Sequence, residues 1–192
     1  MLPTLSTPRL VLRPFNVTDA PRVRDLAGDA RITQQALGIP HPYPLEAAEA
    51  WIADHSSAFA RGSEANFAVT LKEGGELLGA ASLLAISTQH ARAELGYWIG
   101  PEHWSHGYCT EAVVRLIDYG REVCGLTRVT ARCLAGNIAS ARVLEKAGLL
   151  CEGRLSGHFF RHGRYLDMLL LGLTFPERNN GFRESADVCR FG

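Results

Sequence analysis

A change of hydrophobic period in the middle of the chain leaves few folds open to it. Asn66-Phe-Ala-Val-Thr-Leu71, a turn at Glu73-Gly-Gly75, and Leu77 to Ile86 read as a β-hairpin. Apolar and β-branched runs bounded by glycine favour paired strands. Ala93-Glu-Leu-Gly-Tyr-Trp-Ile99 reads as the next strand, and Gly100-Pro101 ends it. From Thr110 to Val123 the spacing becomes helical, with Val113, Leu116, Ile117 and Gly120 on one face and Gly125 as the stop. Arg128 to Leu134 is a strand again. Antiparallel neighbours need only tight turns, whereas a strand–helix–strand unit crosses over and returns in parallel. A chain holding both must build a mixed sheet.

The flanking segments fit that scheme. Arg9 to Phe15 alternates as a first strand, and Asn16-Val-Thr-Asp19 opens a helix with Pro21 in its first turn. Ile39 to Pro44 holds three prolines and is expected to be irregular. A second helix starts at Leu45 and carries Ala47, Ala48, Trp51, Ile52 and Phe59. Asn137 and Gly148 bracket a helix over residues 138–147, and strands 149–160 and 164–174 flank a His162-Gly163 turn. The expectation is an α/β fold: a mixed, mostly antiparallel sheet of about seven strands flanked by about four helices. It forms a single domain over residues 1–175, followed by a polar tail over residues 176–192.

Composition removes several function classes. With 20 basic and 20 acidic residues the formal charge is zero, which argues against a nucleic-acid binder. No apolar run approaches the ~20 residues that cross a bilayer, and the N-terminus lacks a secretory pattern. A cytoplasmic protein without membrane association is therefore expected. The five cysteines form no CxxC pair and read as reduced thiols. His103 and His106 make an isolated H-x-x-H with no further ligand cluster, so no metal is expected. Neutrality hides a local imbalance, because residues 128–164 carry seven basic residues against Glu145 and Glu152.

Two segments carry chemistry. In the first, Trp104-Ser-His-Gly-Tyr-Cys109 runs from a strand end directly into a helix beginning near Thr110. Backbone N–H groups and the positive end of the helix dipole converge at such a junction and make an anion site. Gly107 allows close approach of a pyrophosphate. The pattern is neither a Walker motif nor a dinucleotide-binding loop. In the second, Asn137 caps a helix and its amide offers both a donor and an acceptor to a ligand, with Ser140 one turn further on.

Spaced as they are, these segments resemble the GNAT superfamily of acyl-CoA N-acyltransferases, and within it the RimJ/RimL-like branch of ribosomal-protein N-terminal acetyltransferases. Thr7-Pro-Arg-Leu-Val-Leu-Arg-Pro14, Glu94-Leu-Gly-Tyr-Trp-Ile99, the Trp104–Ala112 segment and Asn137–Gly148 carry the likeness, over about residues 6–174. It implies the GNAT fold and acetyl-CoA as donor substrate. The family's pyrophosphate loop falls on Trp104, Ser105, His106, Gly107, Tyr108 and Cys109, leading into Thr110. Trp104 departs from the family's Gln/Arg, and Cys109 from its small residue. The likeness further implies that the strand ending at Trp98 and Ile99 splays to pair with the pantetheine arm. An N–H near Trp98 would meet the oxyanion, and Asn137 and Ser140 would lie beside the sulfur. Many members place a tyrosine where this chain has Leu144, which leaves Ser140 as donor to the leaving thiolate.

An amine must be neutral to attack a thioester, and α-amino groups (pKa ~7.7–8.0) lose their proton more readily than lysine (~10.4). A carboxylate is the natural base, and Glu94 is the candidate. The favoured acceptor is a protein N-terminal α-amine. A small amine (polyamine, aminoglycoside or amino acid) is the alternative, with the segment from Ile32 to Trp51 and the final hairpin setting the choice. A non-catalytic acyl-CoA-binding sensor is the rival of another class, and either a monomer or a homodimer is compatible with the sequence.

Overall fold

Both connections expected from the change of period occur in one sheet. The computed structural model describes residues 1–175. Its strands are β1 (Leu5–Ser6), β2 (Leu10–Pro14), β3 (Ala65–Leu71), β4 (Leu77–Ser87), β5 (Arg92–Ile99), β6 (Arg128–Leu134), β7 (Leu150–Arg161) and β8 (Arg164–Thr174). Its helices are α1 (Ala20–Ala27), α2 (Ala30–Thr33), α3 (Leu45–Ala60), α4 (Tyr108–Glu122) and α5 (Ile138–Lys146). The sheet order is β1-β2-β3-β4-β5-β6-β8-β7. Among the described residues only β5 and β6, joined through α4, pair in parallel.

Eight strands and five helices exceed the expected seven and four. The additions are β1, of two residues, and α2, of four, each too short to show a period. The polar tail expected over residues 176–192 lies outside the described residues.

Helices cover both faces. α4 and α5 bury Val113, Leu116, Ile117 and Leu144 against one face of the sheet. α1 and α3 bury Val23, Ala48 and Ile52 against the other. Covered on both sides, β3 is buried at six consecutive positions rather than at alternate ones. The short 3-10 turn Val17–Asp19 that leads into α1 is fixed locally. Asn16 and Asp19 form a capping box, and the Arg13 guanidinium grips both Asp19 oxygens at 2.8 Å.

Two features of this layout position the site. Pairing between β5 and β6 runs from Arg92↔Arg128 to Leu95↔Ala131 and stops, although β5 continues to Ile99 and β6 to Leu134. The strands therefore part and leave a wedge-shaped opening. Separately, Arg161 of β7 donates to the carbonyls of Thr33 (3.0 Å), Gln34 (2.8 Å) and Ala36. One guanidinium thus ties the final hairpin to the loop after α2. The two segments expected to set acceptor choice are in contact.

Candidate active site

The pleat decides which backbone groups face the opening. Gly100 N–H donates to the Leu78 carbonyl at 2.8 Å, so Gly100, and with it Trp98, faces β4. By alternation the N–H and C=O groups of Tyr97 and Ile99 face the gap. The gap-facing N–H groups nearest Trp98 are thus those of Tyr97 and Ile99. The Trp98 side chain instead packs with the α1–α3 core. The Ile99 carbonyl accepts from the Trp104 indole at 2.6 Å. Trp104, at the family's Gln/Arg position, thereby moors the loop to β5.

The loop has the shape that an anion requires. Ser105 (φ 64°) and Gly107 (φ 80°) are both left-handed and flank His106, an alternation that turns successive N–H groups toward one point. α4 starts at the next residue, and Glu111 N–H bonds the Gly107 carbonyl at 3.1 Å. The N–H groups of Tyr108, Cys109 and Thr110 belong to the unpaired first turn.

The β2 end braces the loop from behind. Arg9 Nη1 donates to the His106 carbonyl (2.9 Å), Arg9 Nε to Glu111 (2.7 Å) and Thr7 Oγ1 to Glu111 (2.6 Å). The Arg9 guanidinium lies 4.7 Å from the Tyr108 ring centre, and the His106 ring stacks on the same tyrosine at 5.5 Å between centres. Burial pushes the Glu111 carboxyl up, but the hydrogen bonds from Thr7 and Arg9 outweigh it and hold the group below the usual range. Arg9 and Glu111 were not recognisable as a pair in the sequence.

Gly107→Ala should raise the acetyl-CoA dissociation constant about 5- to 30-fold, measured by titration. A left-handed non-glycine residue costs about 1–2 kcal/mol. The cost is conformational, since an added Cβ would meet only Arg9 Nη2 at an ordinary 3.4 Å.

At the other end of the opening, Asn137 Oδ1 accepts from Ser140 N–H at 3.0 Å and caps α5. Ser140 Oγ lies 2.8 Å from the Tyr97 hydroxyl, which reaches across from β5. Burial raises the Tyr97 phenol above its ordinary value, so it stays protonated. Leu144 is fully buried in the core. A tyrosine is therefore present beside Ser140, delivered by another element. Alternation along β5 was the signal that could have found it, because Tyr97 shares a face with Leu95 and Ile99. Burial pushes the Cys109 thiol up to about 12, and a thiol rather than a thiolate is a poor nucleophile. The described cysteines, at 109, 124, 133 and 151, are all free, and Cys189 lies outside the described residues.

Glu94 sits on the opposite face, with Gly96 and Trp98. Arg132 Nε and Nη2 donate to its two oxygens at 2.9 and 3.0 Å. The pair bridges β5 and β6 beside the last paired rung. Glu94 is thus not the solitary carboxylate that its sequence position suggests, although each oxygen keeps further lone-pair capacity. On this face a cleft of about 570 Å³ lies between the sheet, α3 and the loop over residues 38–43, and Tyr43, Trp51 and Trp98 form aromatic walls.

His55 of α3 also lines the cleft, packed on Trp51 at 4.4 Å between ring centres. Burial pulls its pKa down to about 4, against an opposing effect of Asp54. The folded value lies below the unfolded one of about 6.5, so the unfolded chain binds the proton first. This contribution is complete above about pH 6.5 and is lost as pH falls toward 4. It amounts to roughly 2 kcal/mol after solvent screening. Urea unfolding at pH 7 and pH 4.5 should show that loss, and His55→Phe should lack this component.

The two histidines of H-x-x-H do not converge. His106 Nδ1 is 2.7 Å from the Trp104 carbonyl. His103 Nε2 lies 3.2 Å from Glu102 and 3.5 Å from Glu76. That trio has metal-like spacing, but the Arg22 guanidinium already binds both carboxylates, Glu76 at 3.1 Å and Glu102 beside it.

Comparison with known proteins agrees with this geometry. A family profile described as "Acetyltransferase (GNAT) domain" matches residues 9–150. The uncharacterized N-acetyltransferase YoaA of Bacillus subtilis is 29% identical over 176 residues, covering 92% of this chain and 99% of its own. RimL, a ribosomal α-N-protein acetyltransferase in complex with coenzyme A, shares the fold with a TM-score of 0.83 at 18% identity, over 90% of this chain and 98% of its own. Spermidine N-acetyltransferase from Vibrio cholerae, in complex with CoA and spermine, does so with 0.76 at 24% identity, over 88% and 96%. The family match spans the loop, the opening and all of α5. The chain belongs to the GNAT acetyltransferase family and is an acetyl-CoA-dependent N-acetyltransferase.

Proposed function

We propose that the enzyme transfers the acetyl group of acetyl-CoA to a primary amine by direct attack, with a protein N-terminal α-amine as the favoured acceptor. The observation that carries the proposal is the opening between β5 and β6 with its distinct ends and faces. The left-handed loop at Ser105–Gly107 suits the pyrophosphate. The gap-facing peptide of Tyr97 and the N–H of Ile99 suit the pantetheine amides and the oxyanion. Ser140, hydrogen-bonded to Tyr97, stands where the departing thiolate needs a donor. On the other face, Glu94 takes the proton of the amine directly or through a water, and Arg132 orients it.

An α-amine is favoured because more of it is neutral near pH 7 than of a lysine side chain. RimL acts on such an amine and shares this fold. A small amine is the second reading. A spermidine N(1)-acetyltransferase of Vibrio cholerae is 30% identical over 92 residues, 48% of this chain. Coenzyme A release measured with N-terminal peptides beside polyamines, aminoglycosides and amino acids separates the two. Turnover of peptides supports the first reading, and turnover of small amines alone overturns it.

A further inference from the structure

The acceptor-side cleft carries a charge that no described residue neutralises. Its floor includes a row of same-face positions across three strands. Asn66 on β3 pairs with Ser82 on β4, and Ser82 with Gly96 on β5. Asn66 and Ser82 are 2% and 5% exposed, and buried polar side chains require partners. Asn66 Nδ2 donates to Glu64 Oε2 at 2.9 Å, which holds that carboxylate over the far end of the row.

The neighbouring carboxylates have cations at hand. Glu94 is engaged by Arg132, and Asp54 lies 3.7 Å from Arg61 while accepting from Ser57 at 2.6 Å. Glu64 has no cationic partner among the described residues. A second group in the same cleft is also unmet, since both ring nitrogens of His55 are buried without a hydrogen-bond partner. A negative charge and an orphaned imidazole inside aromatic walls call for a cationic, hydrogen-bonding ligand.

Adjacent strands lie about 4.8 Å apart, so the Asn66 end of the row is about 10 Å from Gly96. Gly96 and Trp98 line the same cleft beside the gap-facing peptide of Tyr97. An amine reacting there would stand about 10 Å from an ammonium held by Glu64. We propose that the acceptor is a dication: a reacting primary amine with a second cationic group about 10 Å away, bound by Glu64 and seated between Trp51, Tyr43 and His55. Asn66 acts as a positioning residue for that carboxylate. This inference rests on the acetyltransfer reading, which places the reacting amine at β5. Two sources fit the chemistry, a polyamine or a peptide whose second or third residue is basic, since three extended residues span about 10 Å.

The test compares octamethylenediamine with n-octylamine, and a peptide bearing lysine at its third position with one bearing norleucine there. Wild type should favour the dicationic member of at least one pair by about 10- to 100-fold in kcat/KM, the range expected for a charge-assisted hydrogen bond. The pair that shows the preference identifies the source. Glu64→Gln should abolish the preference while leaving kcat/KM for the monocationic member and acetyl-CoA affinity unchanged. The unchanged affinity also verifies folding. Equal loss on both members of a pair, or no preference in wild type, overturns the dication while leaving acetyltransfer standing. A wild type that turns over no amine overturns both.

Discussion

Glu94→Gln lowers kcat by about 100-fold or more and leaves acetyl-CoA affinity within a factor of about two, since positioned general bases contribute about 10²–10⁴. The substituted amide oxygen still accepts a hydrogen bond from Arg132 but cannot take up a proton. The strand pair at the edge of the opening then keeps its shape, which separates loss of a base from loss of a clamp. The deficit should be largest at lower pH, where less of the amine is already neutral. Arg132→Gln should show a smaller fall in kcat, because it frees Glu94 rather than removing it. If both variants merely lower unfolding stability and keep kcat, Glu94 is a strand tie and the base lies elsewhere.

Ser140→Ala and Tyr97→Phe each lower kcat by about 10- to 100-fold, and the double variant is no worse than the stronger single one. The two hydroxyls lie 2.8 Å apart and, in the proposed mechanism, form one hydrogen-bond chain toward the sulfur, so their effects share a single free energy. Neither change touches the cap of α5, which uses the Ser140 backbone N–H and Asn137 Oδ1. Acetyl-CoA affinity is therefore the control and should hold. Single-turnover acetyl transfer reads the chemical step directly. Additive losses would mean that Ser140 and Tyr97 act separately.

The elements that could be read from the sequence are those whose signal is local. The hairpin of β3 and β4, the stripe of α4 and the Asn137 cap each lie within a few residues of chain. β1 and α2 are too short to carry a period, and α2 draws its support from Arg161, which lies far along the chain. The glycine loop leading into α4 was legible because Gly107 and the helix start are adjacent. The side chains that work in pairs were not. Tyr97 and Ser140 are 43 residues apart, Glu94 and Arg132 are 38 apart, and Arg9 and Glu111 are 102 apart. Strand register brings Glu94 to Arg132, and the packing of α5 and α4 against the sheet brings Ser140 to Tyr97 and Glu111 to Arg9. The edge toward which each β5 peptide points was not legible either. A strand's alternation is visible in sequence, but which edge its backbone groups face depends on a neighbour, here the Leu78 carbonyl.

Catalysis at the β5–β6 opening, as opposed to acyl-CoA binding alone, is decided by two measurements on the same wild-type preparation. These are acetyl-CoA binding and coenzyme A release, each followed with and without a broad pool of primary amines. The expected outcome is saturable binding together with amine-dependent, stoichiometric release of coenzyme A and formation of the acetylated amine. Saturable binding with no amine turned over would contradict catalysis and identify the protein as a sensor on an acetyltransferase fold.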